Sequence, residues 1–128
     1  MKDSVEQYDK RVQYRALQDT LYVIGGKWKI PVINSICNGN KRFREIERSL
    51  PGITKRMLSK ELKELEMNGI ITKNVYDTKL IEYHKTGYSH SYAPIIIQMI
   101  KWGVEHRKKV TKSRSPAKVL NRATEKSF

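Results

Sequence analysis

Three features of the sequence predict a mainly α fold with a small β wing. Residues 42–73 place two apolar patterns of helical spacing on either side of a Pro51-Gly52-Ile53 break. Residues 70–76 and 80–85, the first rich in β-branched side chains, flank a polar Asp77-Thr78-Lys79 tip and read as a hairpin. A long apolar-rich segment follows and reads as a last helix. Helix, glycine-containing turn, helix and hairpin, in that order, make a winged helix-turn-helix.

Residues 1–11 are polar and of mixed charge, either coil or the start of a helix. From there Val12, Ala16, Leu17, Leu21, Val23 and Ile24 largely share one helical face, which Gly25-Gly26 ends. Residues 27–37 carry Trp28, Ile30, Val32, Ile33, Ile36 and Cys37 on a second helix. Proline is tolerated only in a first helical turn, so Pro31 sets the start of that helix or kinks it. Asn38-Gly39-Asn40 is a turn signal.

The first helix of the pair spans about residues 44–49, with Phe43, Ile46 and Leu50 apolar. In the second, Leu58, Leu62 and Leu65 recur at spacings of four and three on one face. Thr54 stands where a hydroxyl caps a helix, and Gly69 where a left-handed residue ends one. Opposite the leucines lie Lys55, Arg56, Ser59, Lys60 and Lys63. An apolar back with a basic, hydroxyl-bearing front suits a helix laid in a major groove, where Arg and Lys bond guanine and Ser or Thr bond any base.

Thr86 or Ser89 is placed to cap the last helix, and Pro94 falls early in it or bends it. Its apolar positions, among them Tyr92, Ile96, Met99 and Trp102, cover more than one stripe. Such a helix is buried on more than one side, and in a chain this small the second surface is expected to be another subunit. After His106 the sequence turns basic, with Ser115-Pro116 as a break. The expected organisation is a polar segment at 1–11, one domain with its dimerisation helices at 12–106, and a basic tail at 107–128 that either clamps DNA or simply solubilises.

Composition narrows the function. A net charge of +13 and a pI near 9.9 are the electrostatic footprint of a nucleic-acid binder, though basic proteins also meet acidic membranes and proteins. No apolar run approaches the ~18 residues of a membrane helix, and the N-terminus lacks a signal-peptide core. Cys37 is the single cysteine, which fits a reducing compartment, and the expected location is the cytoplasm. At the end of an apolar helix it is expected to be a buried small hydrophobe, with a sensing role as the alternative. The three histidines have no thiol partners for zinc, Gly25-Gly26-Lys27 lacks the rest of a P-loop, and no carboxylate pair or activated nucleophile stands out. Neither enzyme activity, cofactor nor metal is expected.

The chain resembles the HxlR family of bacterial regulators, relatives of the MarR-type winged-helix proteins. The resemblance rests on Val23-Ile24-Gly25-Gly26-Lys27-Trp28, Arg42-Phe43, Leu50-Pro51-Gly52-Ile53, Met57-Leu58, Leu62-Lys63-Glu64-Leu65-Glu66, Gly69, Val75-Tyr76, Glu82-Tyr83 and Trp102-Gly103, and covers residues 15–106. It implies a short strand at 41–43 and a first helix that joins a dimer interface, with Leu17 and Leu21 as candidates. That helix packing only on its own core is the alternative. The cysteine by which some members sense oxidants would fall at Tyr14 or Arg15 and is absent. Trp28, Tyr22 and Trp102 are either core or the lining of a small-molecule effector pocket.

The expected function is therefore sequence-specific binding of double-stranded DNA by a homodimer, regulating transcription from an inverted-repeat operator. Repression by occlusion is favoured, because no polymerase-contacting domain is evident. Contacts are expected from Thr54, Lys55, Arg56, Ser59, Lys60 and Lys63, with Arg42 positioning phosphates and the wing's Lys73, Asn74 and Lys79 reaching the backbone or a minor groove. Lys60 and Lys63 are alternatively a solvated face paired with Glu64 and Glu66. An RNA-binding or protein-interaction winged helix is the competing function.

Overall fold

Asp9 starts the first long helix earlier than its apolar pattern does. Its Oδ1 accepts the Val12 N–H at 3.0 Å and caps α1 (Lys10–Ile24). Gly25 closes the helix by donating its N–H to the Leu21 carbonyl at 2.8 Å. A Cβ at Gly25 would collide with that carbonyl oxygen, so the position excludes any side chain. The computed structural model describes residues 4–113, with one compact unit ending at Thr86 and another beginning at Gly87.

In the first unit α2 (Lys29–Cys37) begins two residues later than its pattern suggests, which places Pro31 in the first turn where no N–H is needed. It buries Lys29, Val32, Ile33, Ser35 and Ile36. Cys37 lies one position past Ile36, off that face, and is exposed rather than buried. The buried Ser35 hydroxyl is satisfied by Ser49 Oγ at 2.6 Å and Asn40 Nδ2 at 3.1 Å. Ser49 donates to the Ile46 carbonyl at 2.7 Å, so Ser35 is the donor to Ser49.

Residues 41–43 do not form the expected strand. The Glu45 carboxylate accepts the N–H groups of Lys41 and Arg42 at 3.0 and 3.2 Å and draws the chain into α3 (Phe43–Ser49). Those two bonds hold the Glu45 carboxyl below its ordinary pKa. Only one ladder-like bond remains, from the Tyr83 N–H to the Lys41 carbonyl at 2.7 Å. After a turn comes α4 (Lys55–Met67), then an antiparallel pair, β1 (Ile71–Val75) and β2 (Ile81–Lys85), in which Ile71 faces Lys85 and Val75 faces Ile81. The core combines Val32, Ile33 and Ile36 of α2, Ile46 of α3, Leu58, Leu62 and Leu65 of α4, and Ile70 and Ile71 at the base of the hairpin. Each such burial contributes roughly 1.5–3 kcal/mol. Beyond Ile71 no β1 residue is buried, so the hairpin leaves the core as a wing.

In the second unit a 3₁₀ segment, Gly87–Tyr92, leads into α5 (Ala93–Ser113). Tyr92 therefore precedes the helix rather than lying in it. Pro94 is in the first turn, as its chemistry requires. Thr86 directly precedes the 3₁₀ segment and Ser89 lies inside it; the Thr86 hydroxyl donates to the Gly69 and Ile70 carbonyls and fastens the end of β2 to the end of α4. Helical structure continues past His106 to Ser113, and the rest of the basic tail lies outside the described residues. No described helix is long and apolar enough to cross a membrane.

Candidate nucleic-acid interface

The turn before α4 is built by Leu50-Pro51-Gly52-Ile53. The Ile53 N–H donates to the Leu50 carbonyl at 3.1 Å, and Gly52 has φ +95°, the pattern of a type II turn with Pro and Gly at its centre. Buried Ile53 pins the turn to the core. The Trp28 ring lies beside Gly52, 3.9 Å from where a Cβ would be. Thr54 then caps α4 as expected, its Oγ1 accepting the Met57 N–H at 3.1 Å. The hydroxyl proton remains a donor directed by the helix start.

Leu58, Leu62 and Leu65 are buried to 0–2% exposure, and the opposite residues Lys55, Arg56, Ser59, Lys60 and Lys63 are all exposed. At ~1.5 Å per residue the 13-residue helix is about 20 Å long, of a size to lie in a major groove. It ends in a Schellman motif: the Ile70 N–H reaches the Leu65 carbonyl at 3.0 Å, the Gly69 N–H reaches Glu66 at 3.0 Å, and Gly69 sits at φ +75°. Ile70 and Leu65, both buried, supply the apolar contact that accompanies it.

The acids of α4 are arranged unlike its bases. Glu61 and Glu64 turn away from the exposed front and share Lys29 of α2, whose Nζ lies 2.7 Å from Glu61 Oε1 and 2.6 Å from Glu64 Oε1. Burial alone would lower the Lys29 pKa, but the two carboxylates outweigh it and the ammonium is held above its ordinary value. The Lys29 hydrogen bond likewise holds the Glu64 carboxyl down. Lys60 reaches Glu64 only at 4.0 Å with its side chain 70% exposed, and Lys63 has no ion pair among the described residues. The expected alternative, a face neutralised by Glu64 and Glu66, is at most partly realised. Nothing local in the sequence marks Lys29, because its partners lie 32 and 35 positions away.

The wing brings the remaining candidates into place. Asp77 Oδ1 accepts the N–H groups of Lys79 and Leu80 at 2.7 and 2.9 Å and fixes the tip. Arg42 Nη2 donates to the Lys79 carbonyl at 2.9 Å, so this arginine braces the tip against the start of α3 and keeps further N–H donors. Lys73 and Lys79 are exposed, Asn74 is half-buried, and Lys73 faces Tyr83 across the hairpin. Burial, and then the Glu66 carboxylate, push the Tyr83 hydroxyl above its ordinary pKa, so it stays protonated.

The dimer candidates are placed as follows. Leu17 and Leu21 on α1 are 60% and 64% exposed, Met99 and Trp102 on α5 are 48% and 68% exposed, and Tyr92 and Ile96 are half-buried. Of the aromatics considered as core or effector lining, Trp28 is half-buried, whereas Tyr22 and Trp102 are exposed and are not core within the single chain. Trp102 stacks on His106 with ring centroids 4.7 Å apart.

A capped, basic-fronted helix after a Pro-Gly turn, with a braced two-stranded hairpin behind it, defines a winged helix-turn-helix DNA-binding domain. Residues 23–111 match the family model described as HxlR-like helix-turn-helix, and the chain belongs to the HxlR family. It is 42% identical over 98 residues to the uncharacterized HTH-type transcriptional regulator YybR of Bacillus subtilis strain 168, covering 75% of this chain and 78% of that one. Among solved structures it is similar to the redox regulator HypR in its reduced form, with TM-score 0.64 and 40% identity over 77% of this chain and 99% of that one. It is also similar to a MarR-family regulator from Enterococcus faecalis V583, with TM-score 0.68 and 26% identity over 87% and 99%. The chain is a transcriptional regulator, not an enzyme.

Proposed function

We propose that this regulator binds an inverted-repeat operator as a homodimer and represses transcription by occluding the promoter in the cytoplasm. The observation that carries the reading is the division of α4 into a buried leucine back and an exposed front of Arg56, Ser59, Lys60 and Lys63 behind the capped Thr54 end. Arg56 and Ser59 suit base edges, and Lys55, Lys60 and Lys63 suit phosphates. Lys73 and Lys79 meet the backbone from the wing, and Arg42 orders the tip that carries Lys79. The large exposed apolar side chains of α1 and α5 support dimerisation, since water-facing leucine and tryptophan at this density mark an interface. A two-fold pair of α4 helices then reads half-sites whose centres lie ~34–36 Å apart or a multiple of that. Redox control of the kind named for HypR would have to act here through Cys37, the single cysteine, whose thiol is exposed.

The test is fluorescence anisotropy with a duplex selected by the protein from a random pool, its scrambled counterpart and a single-stranded RNA, over a salt series. The expected result is a preference of ~10³-fold or more for the selected duplex, with absolute affinities falling as salt rises. Equal affinities for both duplexes, or tighter binding of the RNA, would sink the reading in favour of a non-specific or RNA-binding winged helix.

A further inference from the structure

Lys29 is a charged residue where the chain would ordinarily place none. It is 6% exposed, and as the first residue of α2 it sits at the helix end where the dipole disfavours a cation. Two carboxylates offset that cost, and both belong to α4. Glu61 and Glu64 are three residues apart, on successive turns of one flank, and a single ammonium engages both. Their side chains are 15% and 19% exposed, so this pairing is better shielded from water than a surface salt bridge. The ammonium also lies 5.6 Å from the centroid of the Tyr22 ring, within cation–π range, which ties α1 to the same point.

The buried leucines of α4 hold its back against the core, and the Lys29 pairing adds a directional constraint on its flank. Apolar packing is non-directional, whereas two short charge-assisted bonds from one donor to positions 61 and 64 have preferred directions. A rotation of α4 would lengthen one bond as it shortened the other. The exposed front with Arg56 and Ser59 turns with the same helix, and base readout tolerates little displacement. The same pairing holds two of the acids of α4 on the flank, away from the polyanion.

We propose that Lys29 is a positioning residue for DNA reading: by clamping Glu61 and Glu64 it fixes the rotational setting of α4 and hence where Arg56 and Ser59 meet the bases. The proposal rests on α4 being the reading helix. It predicts a loss of discrimination, not merely a loss of folded protein.

The experiment measures, at matched folded concentration by circular dichroism, the affinity ratio between the selected and scrambled duplexes for the wild type, Lys29→Met, Lys29→Arg and the triple variant Lys29→Met/Glu61→Gln/Glu64→Gln. Lys29→Met should reduce the ratio about tenfold or more, the size expected for misplacing one base contact. Lys29→Arg, which can still engage both carboxylates, should recover most of it. The triple variant removes buried unpaired charge and keeps the assay informative if Lys29→Met folds poorly. Its ratio should stay low, because no clamp remains. An unchanged ratio in Lys29→Met, or full recovery in the triple variant, overturns the positioning role; the second outcome leaves Lys29 only the masking of two negative charges. A wild type with no preference, or an Arg56→Ala variant with undiminished preference, would instead refute the reading by α4 on which the proposal rests.

Discussion

Helix α4 and the helices α1 and α5 solve the problem of an apolar face differently. In α4 every leucine is buried within its own unit, Leu58 and Leu65 at 0% and Leu62 at 2%. In α1 and α5 large apolar side chains remain in water: Leu17, Leu21, Ile97, Ile100 and Trp102 are all more than half exposed. A helix finished within one chain can afford an outer face given wholly to charge and hydroxyls. A helix that keeps its apolar residues outside is completed only by another surface. The contrast separates the proposed reading element from the proposed association elements, and substitutions should separate them too.

Leu58→Ala should have the largest effect. It empties a fully buried site and should cost about 2–5 kcal/mol, seen as a lowered urea midpoint, with DNA binding lost as folded protein is lost. If stability barely changed, α4 would not be the closed element described here. Trp102→Ser should weaken self-association by roughly 10–100-fold, as loss of an aromatic interface anchor does. Sedimentation across a concentration series measures this, and unaltered self-association would remove α5 from the interface. Gly69→Ala is smaller. It forces a side chain into the left-handed region at φ +75° and should cost about 1–2 kcal/mol. Calorimetry would show it as a lowered melting temperature without loss of operator preference at temperatures where the domain stays folded.

The pH dependence of the clamp is gentler still. The Glu64 pKa is lowered, so its contribution to stability is present above the ordinary 4.5 and is lost as pH falls through the lower folded value. The Lys29 pKa is raised, so its contribution is present below the ordinary 10.5 and is lost as pH rises through the higher folded value. Between those limits the clamp contributes a plateau. Lys29→Met should flatten the decline above 10.5 and reduce the one below 4.5 in urea titrations; identical pH profiles for variant and wild type would show that the ion pair adds no stability.

Helix α4 was legible because its determinants are local. Thr54 caps within three residues, the leucines repeat within one element, and the Gly69 N–H bonds back to the last turn. The Pro31 and Pro94 positions followed from the same short-range chemistry. What was missed depends on residues distant in sequence or on competition between local bonds. The expected strand at 41–43 gave way to the Glu45 carboxylate, which captured the N–H groups of Lys41 and Arg42. The Lys29 clamp and the Arg42 brace on the wing tip join residues more than thirty positions apart, which periodicity does not encode. Cys37 was misplaced because an apolar run does not state which member is last on the buried face; α2 buries Val32, Ile33 and Ile36 and leaves the next position outside.

The most direct test of the account is to repeat the duplex selection with an Arg56→Ala variant and compare its preferred sequence with that of the wild type. If α4 reads DNA from a two-fold dimer, the preference should relax at one position in each half-site, symmetrically, while the half-site spacing stays the same. An unchanged consensus, or a change in only one half of the operator, would contradict reading by paired α4 helices.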